Sequence, residues 1–104
     1  MDQPDALVHQ PVRLKIMAAL KALPIGEQLE FVRLKTIVGA TEGNLGAHIA
    51  TLEQAEYLAV EKDFVGKRPR TRAQLTKTGR RAFDAYIAYL RGIIDLDGAN
   101  GGGA

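Results

Sequence analysis

The sequence predicts a mainly helical α+β domain: a helix-turn-helix, then a two-stranded β hairpin, closed by a long C-terminal helix. Three observations carry this expectation. Apolar residues recur at helical spacing in four segments, the period shortens to two between Leu58 and Leu75, and basic residues concentrate between Lys62 and Arg81. With 104 residues, the chain holds one domain over 1–97, large enough for one core and too small to add a roomy internal cavity. Function is therefore expected on the surface.

The elements follow in order. Pro11 suits the first turn of a helix, and Val12, Ile16, Ala19, Leu20 and Leu23 continue the helical spacing until Pro24 and Gly26 stop it. A connecting stretch, Glu27 to Phe31, leads to Leu34, Ile37 and Val38, a shorter helix ended by Gly39. Thr41 can cap a third helix whose buried stripe is Leu45, Ile49 and Leu52. Only Gly39, Ala40 and Thr41 separate the two, the connection length of a helix-turn-helix. Short helical hairpins in bundles share that spacing and are the alternative.

Beyond this point Leu58, Val60 and Phe64 alternate with Ala59, Glu61 and Asp63, which places Phe64 with the inward set. Gly66 and Pro69 mark a turn, and the return strand sets Leu75 inward with Arg70 and Arg72 on the opposite face. Thr76 caps a last helix, where Phe83, Tyr86, Ile87, Leu90, Ile93 and Ile94 form a stripe wider than one small domain needs. Together with Leu7 and Val8, that stripe is expected to form a homodimer interface. Residues 98–104 are expected to be a flexible Gly-rich tail.

Net charge is only +2, yet one acid, Asp63, stands among Lys62, Lys67, Arg68, Arg70, Arg72, Lys77, Arg80 and Arg81. A segment this one-sided draws a polyanion, and phosphate is the first expectation; a solvated hairpin that keeps the chain soluble is the alternative. The chain has no cysteine, which excludes disulfides, thiolate zinc sites and cysteine redox switches. The two histidines, His9 and His48, are expected on different helices, and neither a glycine-rich phosphate loop nor a paired-acid motif occurs. An enzyme, a metal site and a cofactor are therefore not expected. No apolar run approaches the roughly 20 residues of a membrane span, and no leader precedes a cleavage site, so a cytoplasmic protein is expected.

Helix, helix-turn-helix, wing and helix is the order of a winged-helix domain, and the match extends to residues. HQPVRLKIMAAL (His9 to Leu20) resembles the first-helix opening of the MarR- and ArsR-like winged-helix transcriptional regulators. TEGNLGAHIATLEQAEYLAVEK (Thr41 to Lys62) resembles their recognition helix and first wing strand, and FVGKRPRTRAQLTKTGRRAF (Phe64 to Phe83) their wing and following helix. The resemblance covers Leu7 to Ile94 and implies a homodimer that binds double-stranded DNA. Two positions depart from the pattern: Gly46 stands where a small hydroxyl residue is usual, and Glu56 where a glycine usually ends the recognition helix.

Such a helix enters the major groove, and with Leu45, Ile49 and Leu52 inward the 100° step turns Gly43, Asn44, Ala47, Ala50, Thr51 and Gln54 outward. Asn44 and Gln54 can pair with adenine, and Ala47 or Ala50 can meet a thymine methyl. The expected DNA-binding set is Thr41, Asn44, Ala47, His48 and Thr51 with Lys67, Arg68, Arg70 and Arg72 of the wing. No lysine or arginine lies between Lys35 and Lys62, so affinity is expected to lean on the wing. His48 is either a phosphate contact or a packing histidine. Gly43 and Gly46 each cost about 1 kcal/mol in a helix, explained either by close approach of DNA or by drift. The rival function is a winged helix used for protein contact without DNA. The sequence assigns no small-molecule effector.

Overall fold

The computed structural model describes residues 5–97, and the tail expected over 98–104 lies outside them. The order is α1 (Pro11–Lys21), β1 (Leu29–Glu30), α2 (Phe31–Val38), α3 (Glu42–Gln54), β2 (Leu58–Val65), β3 (Arg68–Leu75) and α4 (Lys77–Asp97). Among the described residues these are four helices and one small antiparallel sheet, the mainly helical α+β class expected.

Local chemistry fixes where the helices begin and end. Pro11 opens α1, and the Gln10 side chain accepts a hydrogen bond from the Arg13 N–H at 2.8 Å. Gly39 ends α2 with φ 72°, the left-handed conformation that glycine adopts without steric cost. Two residues later Thr41 caps α3, its Oγ1 accepting from the Asn44 N–H at 3.2 Å. Thr76 caps α4, accepting from the Gly79 N–H at 2.9 Å.

The missing glycine after α3 is solved by bonding. Glu56 takes φ 65°, its N–H donates to the Glu53 carbonyl at 2.9 Å, and the Tyr57 N–H reaches back to Leu52 at 2.9 Å. That pair of bonds is a Schellman ending. The Thr76 hydroxyl also donates to the Glu56 carbonyl at 2.6 Å, so the start of α4 holds the end of α3.

Three strands, not two, make the sheet, in the order β1-β3-β2. Leu29 pairs with Ala73 and Glu30 with Arg72, within the stretch expected to be only a connection. Strands β2 and β3 pair from Leu58↔Leu75 to Val65↔Arg68, leaving Gly66, at φ 62°, and Lys67 as a two-residue turn.

The core joins Val8, Ile16, Met17 and Leu20 to Leu34, Val38, Leu45, Ile49 and Leu52, and is closed by Leu58, Ala73, Leu75, Phe83 and Tyr86. Three expectations need correction here. Phe64 is not inward: the core ends at Val60, and Phe64 is 70% exposed on the wing that extends past it. Val8, Phe83 and Tyr86, expected at a dimer surface, are buried within their own chain, because the segment before α1 folds back over α4. His9, placed on a helix by the sequence, lies in that segment.

Polar bonds hold the segment down. Asp5 accepts from the Leu7 N–H at 2.9 Å and from the Tyr57 hydroxyl at 2.6 Å. Arg13 Nε donates to the Leu7 carbonyl at 2.7 Å, and the His9 ring shares a 2.7 Å hydrogen bond with the Tyr86 hydroxyl. Gly79 shows why α4 can approach: a Cβ there would lie 2.9 Å from the Tyr57 carbonyl carbon and closer still to its oxygen.

Candidate nucleic-acid interface

Leu45, Ile49 and Leu52 anchor one side of α3 in the core, which leaves the opposite side to solvent. Thr41, Gly43, Asn44, Ala47, Ala50 and Gln54 are all exposed there. Thr51 is half-buried, and its hydroxyl donates to the Ala47 carbonyl at 3.1 Å, which leaves the oxygen free only to accept. A Cβ at Gly43 or Gly46 would meet nothing within 4 Å, so packing does not demand glycine at either position.

His48 flanks this surface, one turn from both Asn44 and Thr51. Its Nδ1 lies 3.0 Å from Arg13 Nη1, and a guanidinium only donates, so neutral His48 accepts at Nδ1 and carries its hydrogen on Nε2. Arg13 thus holds the histidine by a hydrogen bond and leaves its Nε2 donor available. Arg13, from α1, brings to α3 the cation that its own sequence lacks; the sequence offered no sign of this, since the two residues are far apart along the chain.

The wing divides into two electrostatic regions. Arg70 clasps Asp63 with two bonds, Nε to Oδ1 at 2.9 Å and Nη2 to Oδ2 at 2.7 Å, and stands 4.0 Å from Glu30. Arg72 Nη2 donates to Glu61 and to Asp63, both at 3.1 Å. Hydrogen bonding to Arg70 holds the Asp63 carboxyl below its usual range, and Asp63 in turn raises Arg70. Arg70 and Arg72, expected in the DNA-binding set, are thus paired with Glu30, Glu61 and Asp63 in the structure. The signal was present in the register, because a two-residue turn at Gly66 sets Asp63 opposite Arg70 and Glu61 opposite Arg72.

Lys62, Lys67 and Arg68 enter no ion pair among the described residues and are exposed. The wing's available positive charge is therefore gathered at its outer half. Between this tip and the start of α2 runs a groove of about 450 Å³, whose walls include Val32, Glu42, Val65, Arg68 and Pro69. Among the described residues, no group of three or more His, Asp or Glu could hold a metal ion, and no helix is long and apolar enough to cross a membrane.

A face of small and polar side chains, flanked by the exposed Glu42 and Glu53, lies beside a cationic hairpin tip, and a duplex groove accommodates a helix of that size. Residues 12–94 match the family model of the winged helix DNA-binding domain. The chain belongs to that family. This winged-helix chain is 38% identical over 81 residues to an uncharacterised protein of Methanocaldococcus jannaschii, which covers 78% of this chain and 85% of the other. It is similar in structure to a transcriptional regulator homologue from Pyrococcus horikoshii, with TM-score 0.75 and 29% identity over 86% of this chain and 85% of that one. A candidate transcriptional regulator from Salmonella typhimurium gives TM-score 0.67 and 25% identity, covering 88% of this chain and 77% of its own.

Proposed function

We propose that this winged-helix protein is a sequence-specific double-stranded DNA-binding transcriptional regulator that acts as a homodimer. The observation that carries the proposal is the union of an α3 surface free of large or basic side chains with unpaired cations at the wing tip. Asn44, Ala47 and Thr51 read base edges in the major groove; Thr41 and His48 fix the register of α3 on the backbone. Lys67 and Arg68 hold the phosphates beside it. Arg70 and Arg72 act at one remove, keeping the hairpin rigid through Asp63.

The dimer forms through the open end of α4, where Ile93 is 44% and Ile94 65% exposed, next to half-buried Ile87 and Leu90. Leu7, also expected at this interface, is half-buried in the segment before α1. No catalytic step is part of this role. Electrophoretic mobility shift against the gene's own upstream DNA tests it: a complex that survives excess random DNA is expected. Equal competition by random DNA would leave a winged helix that serves protein contact or binds DNA only by charge.

A further inference from the structure

Phe64 is the large apolar side chain that the fold leaves most conspicuously unused on the wing. Strand alternation assigns it to the same face as Leu58 and Val60, but the helices end before they reach it, and it stands 70% exposed opposite Pro69. Lys62 is two residues away on that face, while Lys67 and Arg68 follow directly around the turn, none of them neutralised by an acid among the described residues. An apolar ring with Lys62 on its own face, and with Lys67 at the turn and Arg68 on the other face of the same tip, has a specific complement: apolar sugar walls and base edges lined on both sides by phosphates.

We infer that the wing tip carries Phe64 into the minor groove of the bound duplex, where the ring packs against deoxyribose and a base step while Lys62, Lys67 and Arg68 meet flanking phosphates. The inference rests on the DNA-binding role proposed above and adds a residue and a mode of contact to it. A ring between base steps favours DNA that opens easily, so the wing adds a preference for flexible pyrimidine–purine steps beside the major-groove site.

Because Phe64 carries no charge, its contribution separates from that of its neighbours. Phe64→Ala should weaken specific binding by about tenfold, the order expected for burying a phenyl ring, while leaving the slope of log affinity against log salt unchanged. Phe64→Leu should recover part of the loss. Ile25→Ala, 85% exposed between α1 and β1 and outside the wing, should change affinity little. In wild type, replacing a TA step under the wing by a stiff A-tract should weaken binding, and in Phe64→Ala that difference should vanish. Circular dichroism checks that each variant is folded, which exposure of the side chain favours. If wild type binds specific DNA and folded Phe64→Ala binds equally well, the inference is overturned and the DNA-binding role stands. If Phe64→Ala instead alters the sedimentation of the free protein, the ring faces a second copy and the inference is also overturned. If wild type binds no DNA selectively, both fall together.

Discussion

Glu56 has the only positive φ of a non-glycine residue among the described positions, and the strain is local: a Cβ in left-handed backbone costs about 1–2 kcal/mol. Glycine would remove that cost and lose part of the gain to its freer unfolded chain. Glu56→Gly should therefore raise stability by about 0.5–1 kcal/mol, read as a higher urea midpoint at unchanged slope. A lower midpoint would mean that the Glu56 side chain makes a contribution its exposure conceals. Asn44 is a test of a different kind. Exposed on the first turn of α3, it can pair with an adenine, so Asn44→Ala should relax preference at one position of each half-site by about 1–3 kcal/mol. Equal losses on specific and random DNA would make it a positioning residue.

The wing behaves as two half-elements, and its salt dependence should reveal the division. Each phosphate contact contributes about 0.9 to the slope of log affinity against log salt. Lys67→Ala with Arg68→Ala should flatten it by nearly two units if both contacts are made. Arg70→Ala should leave it almost unchanged, because Asp63 already holds that guanidinium through two hydrogen bonds. Fluorescence anisotropy across a salt series measures both; an effect of Arg70 equal to that of Arg68 would mean that the Asp63 pair opens on DNA.

The N-terminal segment offers a pH test. The hydrogen bond to Asp5, helped by burial and the Asp5 charge, pushes the Tyr57 phenol from 10.0 up to about 12. A raised acid favours its neutral form in the folded state, so this contribution is complete below pH 10 and is lost as pH rises from there through about 12. Wild type should lose stability over that alkaline range, and Tyr57→Phe should show a shallower loss together with a penalty of about 1 kcal/mol at neutral pH.

The sequence made α3 legible because its signals are local: Thr41 and Gly39 mark ends, and Leu45, Ile49 and Leu52 mark one face. The hairpin was legible as a period-two stretch around Gly66, but its register was not, since Pro69 reads as turn and lies within β3 opposite Phe64. Strand β1 was not legible, since two residues carry no period and Leu29 and Glu30 become a strand only through Ala73 and Arg72. Nor was the fate of Phe64, because alternation gives a face but not where the core stops. The pairing of Arg70 and Arg72 is hidden for a related reason: along the chain the run shows one acid, Asp63, whereas Glu30 and Glu61 reach the arginines across the sheet.

For the whole molecule, the division of α4 matters most. Phe83 and Tyr86 close the core of their own chain, whereas Ile93 and Ile94 extend beyond it with open side chains. Leu90 is a poor probe of assembly because it also packs on that core. Ile94→Asp is the better one: it places a charge where a dimer interface would bury it and costs the isolated chain little. Sedimentation should show a wild-type dimer and a folded mutant monomer; a monomeric wild type at tens of micromolar would remove the dimer.

Sequence specificity and two-fold assembly meet in the shape of the preferred site. Selection of bound duplexes from a random pool should enrich an inverted repeat, its half-sites centred about one helical turn, or a multiple of it, apart. A sequence-specific homodimer requires that symmetry together with sequence preference inside each half-site. A pool that stays random after repeated rounds, with binding that vanishes as salt rises, would contradict it.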